Sequence, residues 1–331
     1  MKIVDVTLRE SVFCPPVIKL KDALEVIRRL SEAGLDYIEI GYLKHNQGKS
    51  PFLNYQADYI ERAFWACGGK SKLSAMIHPS DFVNSQIWDK KIIKKLSLIR
   101  ITADGENFNE LPSILDYFSR QHLEVSVNLL RSNRYSLAQC QEFCSKAEKI
   151  GADFFYLADS NGHFLPQEVE EYITALKKIS KKIKIGFHPH NNLGLAQINA
   201  FVAMKCGVDI VDSSILGFGK GAGNLRTELF PLLLLRTGTK FEKPIDKFYR
   251  FFKLAQYFRC KVAKPSSFEE QYKFSLYGLY DVDLDEDKKI VDLACQTKIK
   301  DYELAFAYLK EGRNLDKLKK SLENLKFKDG K

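Results

Sequence analysis

The sequence predicts a (β/α)₈ barrel, the TIM-barrel architecture, followed by a helical C-terminal region. Short runs rich in β-branched and aromatic residues alternate with helical apolar periodicity, and Gly34, Gly151 and Gly207 each end a predicted helix before a predicted strand. The predicted strands are residues 3–7, 37–41, 73–78, 98–102, 123–129, 154–159, 183–188 and 210–213. This alternation over about 240 residues is typical of a closed barrel. An open doubly wound sheet is the alternative.

Amphipathic helices are predicted between several of these strands, over residues 20–33, 111–120, 137–150, 166–179 and 193–206. After residue 238 the alternation stops, so we divide the chain into a catalytic barrel of residues 1–238 and a helical region of residues 239–331. The helical runs there cover residues 244–258, 268–280, 288–294, 302–309 and 315–325. We expect them to cap the barrel or to contact a second copy of the chain or a partner enzyme.

Composition limits the class of protein. Hydrophobic residues make up 45% and charged residues 28%, which is usual for a globular protein. The net charge of +9 is spread among interleaved acidic and basic residues, so we expect no nucleic-acid partner. No apolar run is long enough for a membrane helix and no secretory signal is visible, so we expect a cytoplasmic protein without a membrane partner. We expect the seven cysteines to be reduced thiols.

Two histidines two positions apart are the strongest functional candidates. His188 and His190 stand at the end of a predicted strand, so their imidazoles fall on the same face of the chain. Active sites of such barrels lie at the carboxyl ends of the strands, and neutral imidazoles favour a divalent transition metal. We therefore expect a metal site, although histidines that only form hydrogen bonds are the simpler alternative.

The third metal ligand should be an oxygen from another strand end, and Glu10 is the best candidate. Its neighbour Arg9 offers a rigid fork of donors for a substrate carboxylate or a developing enolate oxygen. A purely structural Arg9–Glu10 ion pair is the alternative. The glycine-rich loop 217–224 can present backbone N–H groups to an anion or close over substrate. Asn224 either caps the following helix or turns its amide towards the metal.

Four segments together carry a family resemblance: residues 5–10 (DVTLRE), 157–162 (LADSNG), 188–194 (HPHNNLG) and 219–224 (GKGAGN). They resemble the metal-dependent aldolases and lyases of the DRE-TIM metallolyase superfamily, which contains 4-hydroxy-2-oxovalerate aldolase, hydroxymethylglutaryl-CoA lyase and isopropylmalate synthase. The sequence is most similar to the oxovalerate aldolases. The resemblance covers roughly the barrel, and residues 274–280 resemble the C-terminal region of those aldolases more faintly.

The resemblance implies roles for individual residues. His188 and His190 would bind the metal, and Arg9 would stabilise the enolate oxygen of a pyruvate-like unit. The implied substrate-binding residues are Ser160, Asn224 and Tyr280; Ser160 would help to hold a carboxylate, Asn224 matches a position that reaches the metal in some members, and Tyr280 would border the substrate pocket.

The chain departs from the family pattern at two places. Where the family usually has Arg-Asp-Gly, this chain has Arg-Glu-Ser at residues 9–11, and the histidine base of the oxovalerate aldolases is replaced within residues 12–14 (VFC). His78 and His163 are therefore candidates for the general base, and Cys14 is a weaker one. Ordinary hydrogen-bonded histidines are the alternative for both.

These features predict an aldolase or lyase that makes or breaks a C–C bond through the enolate of a 2-oxo acid. The substrates would be a small 2-oxo acid and an aldehyde, and the cofactor would be magnesium, manganese, cobalt or zinc. Two alternatives stay open: an acyl-CoA-using condensing synthase of the same superfamily, and a degenerate, non-catalytic binding subunit.

Overall fold

The computed structural model describes residues 1–14, 18–44, 50–82, 88–238, 244–262 and 267–326. It confirms the predicted barrel: the strands pair in parallel in chain order and β8 closes on β1. The strands are β1 (Lys2–Asp5), β2 (Tyr37–Tyr42), β3 (Lys72–Ile77), β4 (Leu98–Ala103), β5 (Glu124–Leu129), β6 (Phe154–Asp159), β7 (Lys184–Pro189) and β8 (Ile210–Ser213).

The first helices surround the barrel. They are α1 (Thr7–Glu10), α2 (Leu20–Glu32), α3 (Ala57–Cys67), α4 (Lys90–Ile93), α5 (Leu111–Ser119), α6 (Leu137–Lys149), α7 (Pro166–Ile179), α8 (Ala196–Lys205) and α9 (Phe230–Arg236). The sequence patterns missed α1, α3, α4 and α9. β1 also ends two residues before the predicted position, because the Asp5 side chain accepts the Thr7 N–H at 3.0 Å and α1 begins there.

The barrel interior changes from apolar to charged along its axis. Tyr37, Leu98 and Ile210 belong to an apolar cluster separate from the one that the helices cover. Because side chains alternate along a strand, Glu39, Arg100 and Asp212 point into the same interior, two positions further along β2, β4 and β8. All are buried. The charged layer therefore lies towards the carboxyl end of the strands, beneath the expected active site.

The C-terminal helices are α10 (Pro244–Lys261), α11 (Phe268–Tyr280), α12 (Leu284–Thr297), α13 (Asp301–Lys310) and α14 (Leu315–Lys326). α10 packs on α2, with Phe251, Leu254 and Phe258 in the main core. The next helices enclose a small core of their own. The division at residue 238 stays a prediction. Among the described helices, none is both long and apolar enough to cross a membrane.

Candidate metal centre and active site

Glu10, His188 and His190 come together at the carboxyl end of the barrel. Glu10 ends α1, His188 lies in β7 and His190 follows it, and all three are buried. The two Nε2 atoms are 3.2 Å apart, and His188 Nε2 lies 3.9 Å from Glu10 Oε1. One ligand atom from each residue lies within 4.8 Å of the others. Two nitrogens bound to one tetrahedral ion would be about 3.3 Å apart, so this donor set fits a divalent cation.

The glycine-rich loop after β8 holds the end of β7 and the Glu10 carboxylate. Asn191 N–H donates to the Gly223 carbonyl at 2.8 Å, and Lys220 N–H donates to Glu10 Oε2 at 3.0 Å. A Cβ at Gly219 would lie 2.9 Å from that same Glu10 oxygen. Glycine is therefore required for the loop to approach Glu10 so closely.

Electrostatics keep these ligands in the form that binds a cation. Burial opposes ionisation of Glu10, but the Arg9 guanidinium, both histidines and the Lys220 N–H outweigh it and lower its pKa to about 2. Burial and the neighbouring His188 lower the pKa of His190 to about 3. At neutral pH Glu10 is thus a carboxylate and His190 a neutral imidazole, the states in which both bind metals.

A continuous chain of buried ionic contacts orients the site from below. His188 Nδ1 hydrogen-bonds Asp212 at 2.7 Å. Arg100 in turn contacts both Asp212 and Glu39. The chain ends at Arg9, whose Nε donates to Glu39 at 2.8 Å. The Asp212 carboxylate can only accept while it is ionised, so His188 Nδ1 carries the proton and Nε2 is free for a metal. Sequence reasoning missed Glu39, Arg100 and Asp212.

Arg9 lies beside the metal cluster, and its predicted action on a substrate stays a prediction. Its guanidinium contacts Glu10 through Nη1 and Glu39 through Nε, and it is 6% exposed. These carboxylates fix the plane of the guanidinium. The Tyr42 side chain also contacts Arg9, and a guanidinium held in this way is suited to bind an incoming oxygen.

Neither base candidate belongs to the metal cluster. His78 follows β3, hydrogen-bonds Thr102 Oγ1 at 2.6 Å and stacks on Tyr42 with ring centroids 5.4 Å apart. Burial, with Lys44 and Arg9 nearby, lowers its pKa to about 4, so it is neutral at physiological pH. His163 Nδ1 faces the Gly278 carbonyl of α11 at 2.8 Å. A catalytic role for either stays a prediction. Burial raises the pKa of the Cys14 thiol to about 12, which disfavours it as a base.

The residues proposed for substrate binding are spread over a wider area. Asn224 pairs with His190 in an isolated bridge, and its buried Oδ1 has no hydrogen-bond partner among the described residues. Ser160 follows β6; its hydroxyl accepts the Arg131 N–H at 2.9 Å and its carbonyl accepts from Lys220 Nζ at 3.3 Å. Tyr280 ends α11 with half of its surface exposed, and its carbonyl accepts from Arg313. Of these three residues, only Asn224 contacts a metal-cluster residue in the described part of the chain.

Lys220 is a residue of the site that the sequence patterns did not single out. The glycine loop was recognised for its backbone, while the lysine within it had no assigned role. Burial lowers the pKa of Lys220 to about 8, with Glu10 and Asp283 opposing that shift. It therefore remains largely cationic at neutral pH.

A buried Glu–His–His cluster beside an arginine, at the carboxyl end of a closed parallel barrel, defines a metal-dependent enzyme of the TIM-barrel class. Comparison with known proteins identifies the family within this class. The family model described as HMGL-like matches residues 1–257, and the chain belongs to that family. The family depends on divalent metals, and Glu10, His188 and His190 form the candidate site for one.

The names of proteins with similar sequences agree with this family. The chain is 28% identical to the oxaloacetate decarboxylase of Mycobacterium tuberculosis over 69% of its own length and 68% of that protein. It is 30% identical to the 4-hydroxy-2-oxovalerate aldolase of Pelotomaculum thermopropionicum, over 72% and 71% respectively. The protein is thus a C–C lyase, and the alternative of a non-catalytic subunit is set aside.

Solved structures agree with the fold. The N-terminal domain of a candidate aldolase from Bacteroides vulgatus superposes with a TM-score of 0.73, at 24% identity, over 86% of this chain and 95% of that one. The HMG-CoA lyase of Brucella melitensis superposes with a TM-score of 0.65, at 18% identity, over 78% and 98%. These similarities support the barrel itself.

Proposed function

We propose that this lyase makes or breaks a C–C bond through the enolate of a pyruvate-like 2-oxo acid. The observation that carries this proposal is the buried cluster of Glu10, His188 and His190 with the Arg9 guanidinium held beside it. A divalent cation held by these three residues would supply Lewis-acid polarisation of the 2-oxo acid carbonyl. Magnesium, manganese, cobalt and zinc are all compatible with one carboxylate and two imidazoles.

The protein's own residues would support the rest of the chemistry. Arg9 is fixed by Glu10 and Glu39, so it presents positive charge where the enolate oxygen develops without having to reorganise. His188 is held in one tautomer by Asp212. Burial of Arg9, His188 and Asp212 strengthens both interactions. His78 and His163 are the candidates for moving the proton of a 4-hydroxyl or of the enolate carbon.

The reactions that the names of two relatives describe are consistent with this proposal. Aldol cleavage of a 4-hydroxy-2-oxo acid and decarboxylation of oxaloacetate both leave the electron pair of the broken bond on the carbon next to a 2-oxo group. Both reactions therefore pass through an enolate of pyruvate. An aldehyde is the second product in the first reaction and carbon dioxide in the second.

The test is deuterium exchange into the methyl group of pyruvate. Metal-free protein is reconstituted with each of the four metals, incubated with pyruvate in D₂O and followed by proton NMR. We expect metal-dependent loss of the methyl signal, abolished in His188→Asn. His122→Asn is the matched control, since His122 is exposed and has a positive φ of 62° that asparagine tolerates.

Two results would contradict the proposal. Failure of exchange with all four metals would refute pyruvate enolate formation. Exchange into the methyl group of acetyl-CoA, with none into pyruvate, would instead favour the acyl-CoA-using synthase.

A further inference from the structure

Lys220 places a positive charge inside the active-site mouth. The residue as a whole keeps part of its surface exposed, but its ammonium group lies among protein atoms. Its backbone N–H contacts Glu10 Oε2 at 3.0 Å, while its Nζ reaches the Ser160 carbonyl at 3.3 Å. The side chain therefore extends from the metal cluster to the loop after β6.

Among the described residues, this ammonium group has no anionic partner within ion-pair distance. It has three donors, and one of them meets the Ser160 carbonyl. In the part of the chain that the structure describes, no carboxylate lies within 4.0 Å of Lys220 Nζ. Glu10 and Asp283 act on it only from further away, and Arg131 opposes its charge. Asp283 is already within ion-pair distance of Arg131 and Arg134.

Lys273 is a buried lysine whose ammonium group has carboxylate partners. Lys273, in α11, has its Nζ 3.1 Å from Asp287 and 2.7 Å from Asp301. Buried charges in proteins are normally paired in this way, because an isolated charge in a low-dielectric interior is costly. Lys220 differs in lying beside the candidate metal cluster, where a bound ligand can supply its counterion.

We propose that Lys220 binds a second carboxylate of the substrate, so that the enzyme prefers 2-oxo dicarboxylates to 2-oxo monocarboxylates. This inference rests on the proposed function, in which the 2-oxo acid group of the substrate lies at Glu10, His188 and His190. Lys220 touches Glu10 with its backbone and carries its charge a side-chain length away, towards Ser160. The charge is therefore placed for the far end of a small substrate.

Two matched ligand pairs test the preference. 2-Oxoglutarate and 2-oxopentanoate have five carbons each and differ in whether the last carbon is a carboxylate or a methyl group. Their dissociation constants are measured by calorimetry on the Mn²⁺-loaded protein. Oxaloacetate and 2-oxobutanoate, the four-carbon pair, are compared by stopped-flow binding before oxaloacetate decays. We expect the dicarboxylate of at least one pair to bind more tightly.

Three variants connect the preference to Lys220. Lys220→Met keeps the length of the side chain and removes the charge, so it should weaken binding of the preferred dicarboxylate about 10- to 100-fold. The matched monocarboxylate should change less than about twofold. Lys220→Arg should retain most of the preference. Lys205→Met removes the same charge from the exposed surface of α8 and should change neither constant.

The outcomes separate this inference from the proposed function. If the monocarboxylates bind in a metal-dependent way but neither dicarboxylate binds more tightly, the inference is wrong and the proposed function stands. Equal weakening of both members of a pair by Lys220→Met would place Lys220 at the 2-oxo acid's own carboxylate and would also overturn the inference. If none of the four ligands shows metal-dependent binding, the proposed function fails and the inference with it.

Discussion

Asp212→Asn should weaken metal binding although Asp212 is not a candidate metal ligand. Asp212 Oδ2 accepts a hydrogen bond from His188 Nδ1 at 2.7 Å and also contacts Arg100. The substitution preserves the shape of the side chain but removes the negative charge that makes the imidazole a stronger donor to a metal. Loss of such a supporting carboxylate typically costs about 10- to 100-fold in metal affinity, or about 1.4–2.8 kcal/mol.

The barrel should survive this substitution. Arg100 keeps Glu39 as a partner at 3.1 Å, so its buried charge is not left alone. The loss of stability should therefore be smaller than the roughly 3–5 kcal/mol that follows when a buried charge loses its partner completely. The thermal transition of the metal-free variant measures this separately from metal affinity.

The assay is a titration of metal-free protein with Mn²⁺, with the free ion followed by electron paramagnetic resonance. Asp209→Asn is the matched control, because Asp209 precedes β8 at the opposite end of the strand, where it pairs with Lys177 at 2.8 Å. It should leave Mn²⁺ affinity unchanged. Parental affinity in Asp212→Asn would refute the argument that Asp212 tunes His188.

Three further changes follow from the same contacts. Arg9→Lys keeps a charge but loses the fork that contacts Glu10 and Glu39, so pyruvate exchange should fall about 10²- to 10³-fold with Mn²⁺ affinity little changed. Glu10→Asp should not improve activity, because the side chain becomes shorter by about one C–C bond, which exceeds the roughly 0.2 Å tolerance of a metal–ligand distance. The folded-state pKa of Glu10 is about 2 against an ordinary 4.5, so its ionisation stabilises the metal-free fold above pH 4.5, and this contribution is lost as the pH falls through 2. Glu10→Gln should remove about 3 kcal/mol of that acid dependence of the free energy of unfolding.

Each of these expectations has a contrary result. Exchange at the parental rate in Arg9→Lys would show that Arg9 is structural. Tighter Mn²⁺ binding and faster exchange in Glu10→Asp would mean that Glu10 is a poor substitute for aspartate. An identical acid dependence of unfolding, measured by urea titration from pH 5 to pH 2, would show that Glu10 is not held as a carboxylate by its neighbours.

The elements visible in the sequence are those with local signals. Strand-like runs, helical periodicity and helix-ending glycines located every strand of the barrel to within a few residues. α3 was missed between β2 and β3, although its apolar face is ordinary, because the residues before it carry no clear start signal. β1 was extended too far, because α1 begins at Thr7, whose N–H donates to the Asp5 side chain.

The metal cluster was predictable because two of its residues are neighbours in the sequence. His188 and His190 form a pattern on their own, and Glu10 follows from its position after the first strand. Glu39, Arg100 and Asp212 lie on strands far apart in the chain, and each looks like an ordinary polar residue in its strand. Only the strand register shows that they share one interior layer. The sequence does hold one signal for this layer: Glu39, Arg100 and Asp212 each stand two positions after an inward-facing apolar residue.

Anomalous diffraction shows whether Glu10, His188 and His190 hold one divalent cation. Crystals of the metal-free protein are soaked in Mn²⁺, and data are collected on both sides of the manganese absorption edge. We expect a single strong anomalous peak in contact with Glu10, His188 Nε2 and His190 Nε2. A peak held by another carboxylate, with Glu10 turned away, would contradict it.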